Sequence, residues 1–180
     1  MFDPIPSLRV RVAALAIGPS TLRNMVGPGG VTAAQNFCSR NAVLTTLSNS
    51  RSFSRALNRL TVDLAAAMPE HERGGNRWGP ARKSLNIFLS DASQNFQLRR
   101  AYALNRIEAS LEIPLDSYVA RGLRRDARDL GVEANLGRWR GVVHVSPESN
   151  AEHQRVASVI ARRLGFRYRA QLDLRYWRGV

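Results

Sequence analysis

Apolar positions spaced three and four apart recur along most of the chain, and they predict helices. Residues 7–17 form a short helix ended by Gly18-Pro19, with a second short helix near 20–26. The cluster Gly27-Pro28-Gly29-Gly30 breaks the chain, and two more helices are expected, from Thr32 to Ser39 and from Asn41 to Leu47. Ser52 to Met68 carries the clearest early stripe, with Phe53, Leu57, Leu60, Val62, Leu64 and Ala67 on one face and Pro69 as its stop. A polar loop, residues 71–77, follows. Gly79-Pro80 then reads as a turn feeding a long helix, with Lys83 in its first turn and Leu85, Phe88, Leu89, Ala92 and Phe96 as its stripe.

A further helix is predicted over 99–110. Pro114 is a breaker, Asp116 an N-cap, and the helix it opens runs to about Leu130 along Val119, Leu123 and Leu130. Gly131, Gly137 and Gly141 punctuate a loop that holds Trp139. Ser146-Pro147 opens a last good helix to Leu164, closed by Gly165. The tail, Phe166 to Trp177, alternates apolar and polar residues and suits a short strand or an extended packing arm. No second strand of similar strength pairs with it. The fold class is mainly α. Trp139 and Trp177 are expected in the core.

Composition narrows the function. At 180 residues, with 44% apolar and 23% charged residues, the chain is long enough for a core and too apolar for disorder. No apolar run suits a membrane span or a secretion signal, and the protein is expected in the cytoplasm, with the nucleoid. One cysteine, Cys38, excludes an internal disulfide and a multi-Cys cluster; His71, His144 and His153 lack metal spacing. No cofactor or metal is expected. A net charge of +13 points to a polyanion, with nucleic acid foremost, because displaced counter-ions favour binding.

Of the 27 basic residues 26 are Arg and one is Lys. Guanidinium stays protonated whereas an amine need not, so Lys83 marks the one place for a side-chain amine nucleophile. Its surroundings, Gly79-Pro80-Ala81-Arg82-Lys83, resemble the hairpin of the helix-hairpin-helix DNA glycosylases, in which a catalytic Lys opens the helix after a Gly-rich turn. Ile113-Pro114-Leu115-Asp116-Ser117-Tyr118-Val119-Ala120-Arg121 resembles that family's second signature, which carries its catalytic Asp. The separation of 33 residues between Lys83 and Asp116 is similar to the archaeal oxoguanine glycosylase branch. Ala81 replaces the second hairpin glycine, and Tyr118 stands where many members have His. The four-Cys iron–sulfur loop of the endonuclease III branch is absent.

The resemblance implies a single glycosylase-like domain over residues 1–180, its helix-hairpin-helix core at about 76–130, with two helical lobes around a basic cleft. It implies double-stranded DNA with a flipped-out modified nucleotide as partner, bound by a monomer. Lys83 would be the nucleophile, its pKa lowered by the helix N-terminus, Arg82 and partial burial, and Asp116 the carboxylate that stabilises the sugar cation. A lyase step would follow excision. Gly79, Ala81, Arg82 and Arg121 would hold DNA, while Trp78, Asn86 and Tyr118 would line the base pocket; Gln35 and Asp173 are further candidates for it. The base is either an oxidised purine (8-oxoguanine) or a bulky phage-type cytosine (glucosylated hydroxymethylcytosine), the second making the protein a defence enzyme. Two rival readings remain: a non-catalytic nucleic-acid binder using the hairpin as a phosphate clamp, and a module for an acidic protein partner.

Overall fold

A computed structural model describes residues 3–72 and 74–177. Among these, nine α-helices and four short 3-10 turns account for the regular structure, and no strand occurs. The helices are α1 (Ile5–Ala16), α2 (Gly30–Cys38), α3 (Asn41–Asn49), α4 (Phe53–Ala67), α5 (Trp78–Gln94), α6 (Phe96–Ala101), α7 (Ser117–Asp129), α8 (Pro147–Arg163) and α9 (Leu172–Tyr176). No helix among the described residues is long and apolar enough to cross a membrane.

Local chemistry sets most boundaries. Ser52 caps α4 through the Arg55 amide, and Asp116 caps α7 through the amides of Tyr118 and Val119. Ser146 and Ser149 form a reciprocal capping box at the start of α8. Helices α7 and α8 both end on a left-handed glycine, Gly131 and Gly165. The next amide in each case, Val132 or Phe166, reaches back to the carbonyl of Ala127 or Ala161.

Two apolar clusters form the core. The first joins α1 to α6, with Leu44, Leu57, Leu64, Leu85, Phe88 and Leu89 at its centre. The second joins α7, α8 and α9 through Leu123, Val156, Ile160, Leu172 and Tyr176, and it takes in Trp78 from the first turn of α5. Helix α5 thus belongs to both, and the extended segment 111–116 carries the chain from one lobe into the other.

Five expectations change. The helix near 20–26 is replaced by turns, because Asn24 sits at φ +58 and interrupts helical dihedrals. The helix over 99–110 breaks at Ala103 (φ 49) into α6 and two 3-10 turns. The tail is helical: with no strand to pair with, Leu172 and Tyr176 face the second core one turn apart. Gly122 makes that docking possible, since a Cβ there would lie 2.3 Å from the Tyr176 ring. Trp177, expected in the core, is 60% exposed just beyond α9. On α4, Val62 faces solvent and Thr61 is buried in its place.

Candidate active site

The segment around Lys83 is helical from Trp78 onward, so Gly79-Pro80-Ala81 is the first turn of α5 and no exposed hairpin. Three residues assigned to DNA are consequently inside the protein. Gly79 lies under the 3-10 turn Val142–His144, where a Cβ would approach the Val142 carbonyl oxygen to 2.0 Å. Ala81 is fully buried, and its amide bonds the Arg77 carbonyl. Arg82 is buried in a two-bond pair with Glu112, Nε–Oε2 2.8 Å and Nη2–Oε1 2.7 Å. Its remaining donor serves Asn58 and Thr61, each at 2.9 Å. None of the three can reach a phosphate, and the clamp reading loses its residues.

Two base-pocket assignments change for the same reason. Trp78 is a core residue whose ring lies beneath the Arg82 guanidinium, 5.3 Å from its centroid. Asn86 is buried one turn beyond Arg82 and donates to Glu112 at 3.2 Å, while its carbonyl oxygen has no hydrogen-bond partner. The closed space beside it, about 10 Å³, is the size of one water and cannot take a base. Gln35 donates to the Ile17 carbonyl at 2.7 Å and steadies the chain entering residues 18–27.

Lys83 and Asp116, 33 residues apart in the chain, lie near enough for the carboxylate charge to act on the amine. Lys83 is on α5 at the lobe junction, 9% exposed, and its Nζ donates to the Thr21 carbonyl at 3.0 Å. Burial pushes its pKa down, while Asp116 and Asp173 act in the opposite direction. The expected contribution from Arg82 has a physical counter: Glu112 already neutralises that guanidinium. Asp116 faces the site from the N-cap of α7, and both cap bonds, each 2.9 Å, land on its Oδ1. The cap fixes the carboxylate and leaves Oδ2 outside it.

Asp173, on α9, completes the group. Its pKa is pushed up to about 6 by burial and by the neighbouring charges of Asp116 and Asp91, against the opposing effect of Lys83. It also lines a groove of about 550 Å³ between α5 and the tail. The groove is mixed: Ser90, Gln94, Asp91 and Gln171 line it together with Leu111 and Leu174. On the opposite flank, Tyr118 and Arg121 occupy the exposed first turn of α7, the guanidinium 5.2 Å from the ring centroid. Arg124, Arg125 and Arg128 continue this exposed basic face.

Glu112 is the buried carboxylate beside the site that helix patterning overlooks. Burial pushes its carboxyl up, but the Arg82 bonds, with those from Asn150 and Asn86, outweigh this and hold it below the usual range. Arg82 shares a helix face with Leu85 and Leu89, and an arginine on an apolar stripe is the available signal of a buried partner.

The chain matches no protein-family model, no curated protein and no solved structure. The site is therefore read from its own chemistry.

Proposed function

We propose that this protein is a DNA glycosylase, with the Lys83 amine as nucleophile and the Asp116 carboxylate as its partner. The observation that carries this reading is the convergence of the chain's single lysine, its pKa lowered by burial, with a carboxylate fixed at a helix N-terminus. An amine that burial helps to lose its proton can attack C1′ of an everted sugar. The glycosidic bond breaks as the new C–N bond forms, and the base leaves with the electron pair and takes a proton. Asp116 stabilises the cationic sugar and accepts the amine's proton. Ring opening yields an imine to Lys83, from which β-elimination cleaves the strand. The exposed arginines of α7 supply counter-charge for the DNA backbone.

Of the two candidate bases, the groove beside Asp173 favours the bulky, polar one. The groove's carboxylates, amides and hydroxyls, beside Leu111 and Leu174, suit a substituent with both hydroxyls and apolar C–H faces, such as the glucose of glucosylated hydroxymethylcytosine. That substrate makes the protein an anti-phage defence enzyme. The test is excision from duplexes carrying glucosylated hydroxymethylcytosine, 8-oxoguanine or unmodified cytosine. Alkali-labile abasic sites should form in the first alone, and Lys83→Gln and Asp116→Asn should lose them. Release of 8-oxoguanine instead would change the base and leave the chemistry. Release of no base from any duplex would overturn the enzyme.

A further inference from the structure

Lys83 and Asp116 belong to different lobes, so their separation depends on how the lobes are joined. The joint is built from buried polar groups. Glu112 stands four residues before Asp116 on the extended segment between the lobes, and Arg82 directly precedes Lys83. Three donors meet the Glu112 carboxylate: Arg82 through two bonds, Asn86 at 3.2 Å from the same helix, and Asn150 at 3.1 Å from α8. Arg82 in turn reaches Asn58 and Thr61 on α4.

The segment is held along its whole length. Arg169 donates to the carbonyls of Ser110 and Leu111, both at 2.9 Å. Gln154 bonds both backbone groups of Ile113, accepting from its amide at 3.0 Å and donating to its carbonyl at 2.9 Å. Residues 111–116 belong to no helix or sheet, so these side-chain hydrogen bonds, with the burial of Leu111, Ile113 and Leu115, are what fix them.

We infer that Glu112, gripped by Arg82, is a positioning residue: a strut between the lobes that sets the approach of Lys83 to Asp116. The inference rests on the glycosylase reading for its effect on rate, but the geometry it asserts stands apart from activity. A buried ion pair is poor evidence for stability, because two apolar residues of similar volume often serve as well or better. Its directional bonds are what two apolar residues cannot reproduce. Stability and positioning therefore separate in the double variant Arg82→Met/Glu112→Leu.

Two measurements on the full-length protein decide it. First, the double variant should fold with a melting temperature lowered only by the Asn86 and Asn150 amides it leaves without an acceptor, and bind substrate DNA within about twofold, yet excise about 100-fold more slowly, the size of effect that a misplacement of about 1 Å produces. Glu112→Gln, which keeps an acceptor for Asn86 and Asn150, should recover part of that loss. Second, the chain's single lysine, labelled at Cε, gives one resonance whose pH titration reports the Lys83 amine. Asp116→Asn should lower that titration midpoint in the native background, since Asp116 raises it. In the strut double variant the lowering should be at least halved.

Native excision rates in both strut variants, with an unchanged effect of Asp116→Asn on the lysine titration, would overturn the strut. If the double variant fails to fold, Glu112→Gln alone decides on the same two readouts: a slower rate at unchanged substrate KM supports the strut, native behaviour refutes it. If native protein excises nothing, the glycosylase reading falls, and the titration still judges the strut.

Discussion

Replacing Asp173 with Asn tests whether a carboxylate is held at the junction against its own preference. In the folded chain this group titrates at about 6, against 3.8 for an unperturbed aspartate, chiefly because it is buried and then because Asp116 and Asp91 lie near. The raised value means that the charged form is disfavoured by folding. Below about pH 3.8 the side chain is neutral in both states and costs nothing. The cost grows as pH rises through about 6 and is complete above it. The full difference is on the order of 3 kcal/mol at 1.36 kcal/mol per pH unit, and residual solvent access reduces it to about half. For a chain of this size that is a melting-temperature gain of about 3–6 °C for Asp173→Asn at pH 8. The assay is a series of thermal melts of both proteins from pH 4 to pH 8. The gain should be largest at pH 8 and should shrink toward zero by pH 4. A difference that ignores pH, or a variant less stable than native at pH 8, would refute the burial and charge account of this site.

Other expectations follow from packing and burial. Arg82→Met alone strips Glu112 of its partner in the core and should cost about 3–5 kcal/mol, seen as a fall of about 10 °C or more in thermal unfolding. Gly122→Ala puts a methyl group into the Tyr176 ring, so α9 should detach; amide exchange over 172–176 should accelerate, and unchanged protection would contradict the docking. Cys38 is fully buried, which pushes its thiol pKa well up. It should resist a thiol-reactive dye in the native protein and react once the chain is unfolded in denaturant.

Helix positions were legible wherever the signal was local. Ser52, Asp116 and Ser146 are caps, Gly165 is a stop, and the Leu85–Phe88–Leu89 stripe is buried as its spacing requires. Patterning failed where a single backbone angle outweighed propensity, as at Asn24 and Ala103, and where an element takes its form from a distant partner, as α9 does from Gly122. In the site, only a family resemblance suggests pairing Lys83 with Asp116, because no periodicity relates residues in different lobes. The same resemblance misplaced Arg82. An arginine in a very basic sequence reads as surface until its carboxylate partner is found, and Glu112 lies 30 residues away in an otherwise apolar segment. Asp173 is pushed up by burial first and then by Asp116 and Asp91, and neither its burial nor those distant carboxylates can be read from a local window.

The proposed reaction joins the Lys83 amine covalently to the sugar of a damaged or modified nucleotide. Borohydride reduction during turnover on a duplex with glucosylated hydroxymethylcytosine, followed by mass spectrometry of the digested protein, tests it most directly. A sugar adduct on the peptide containing Lys83, absent from Lys83→Gln, is the predicted result. Excision without any adduct, or an adduct that survives Lys83→Gln, would contradict it.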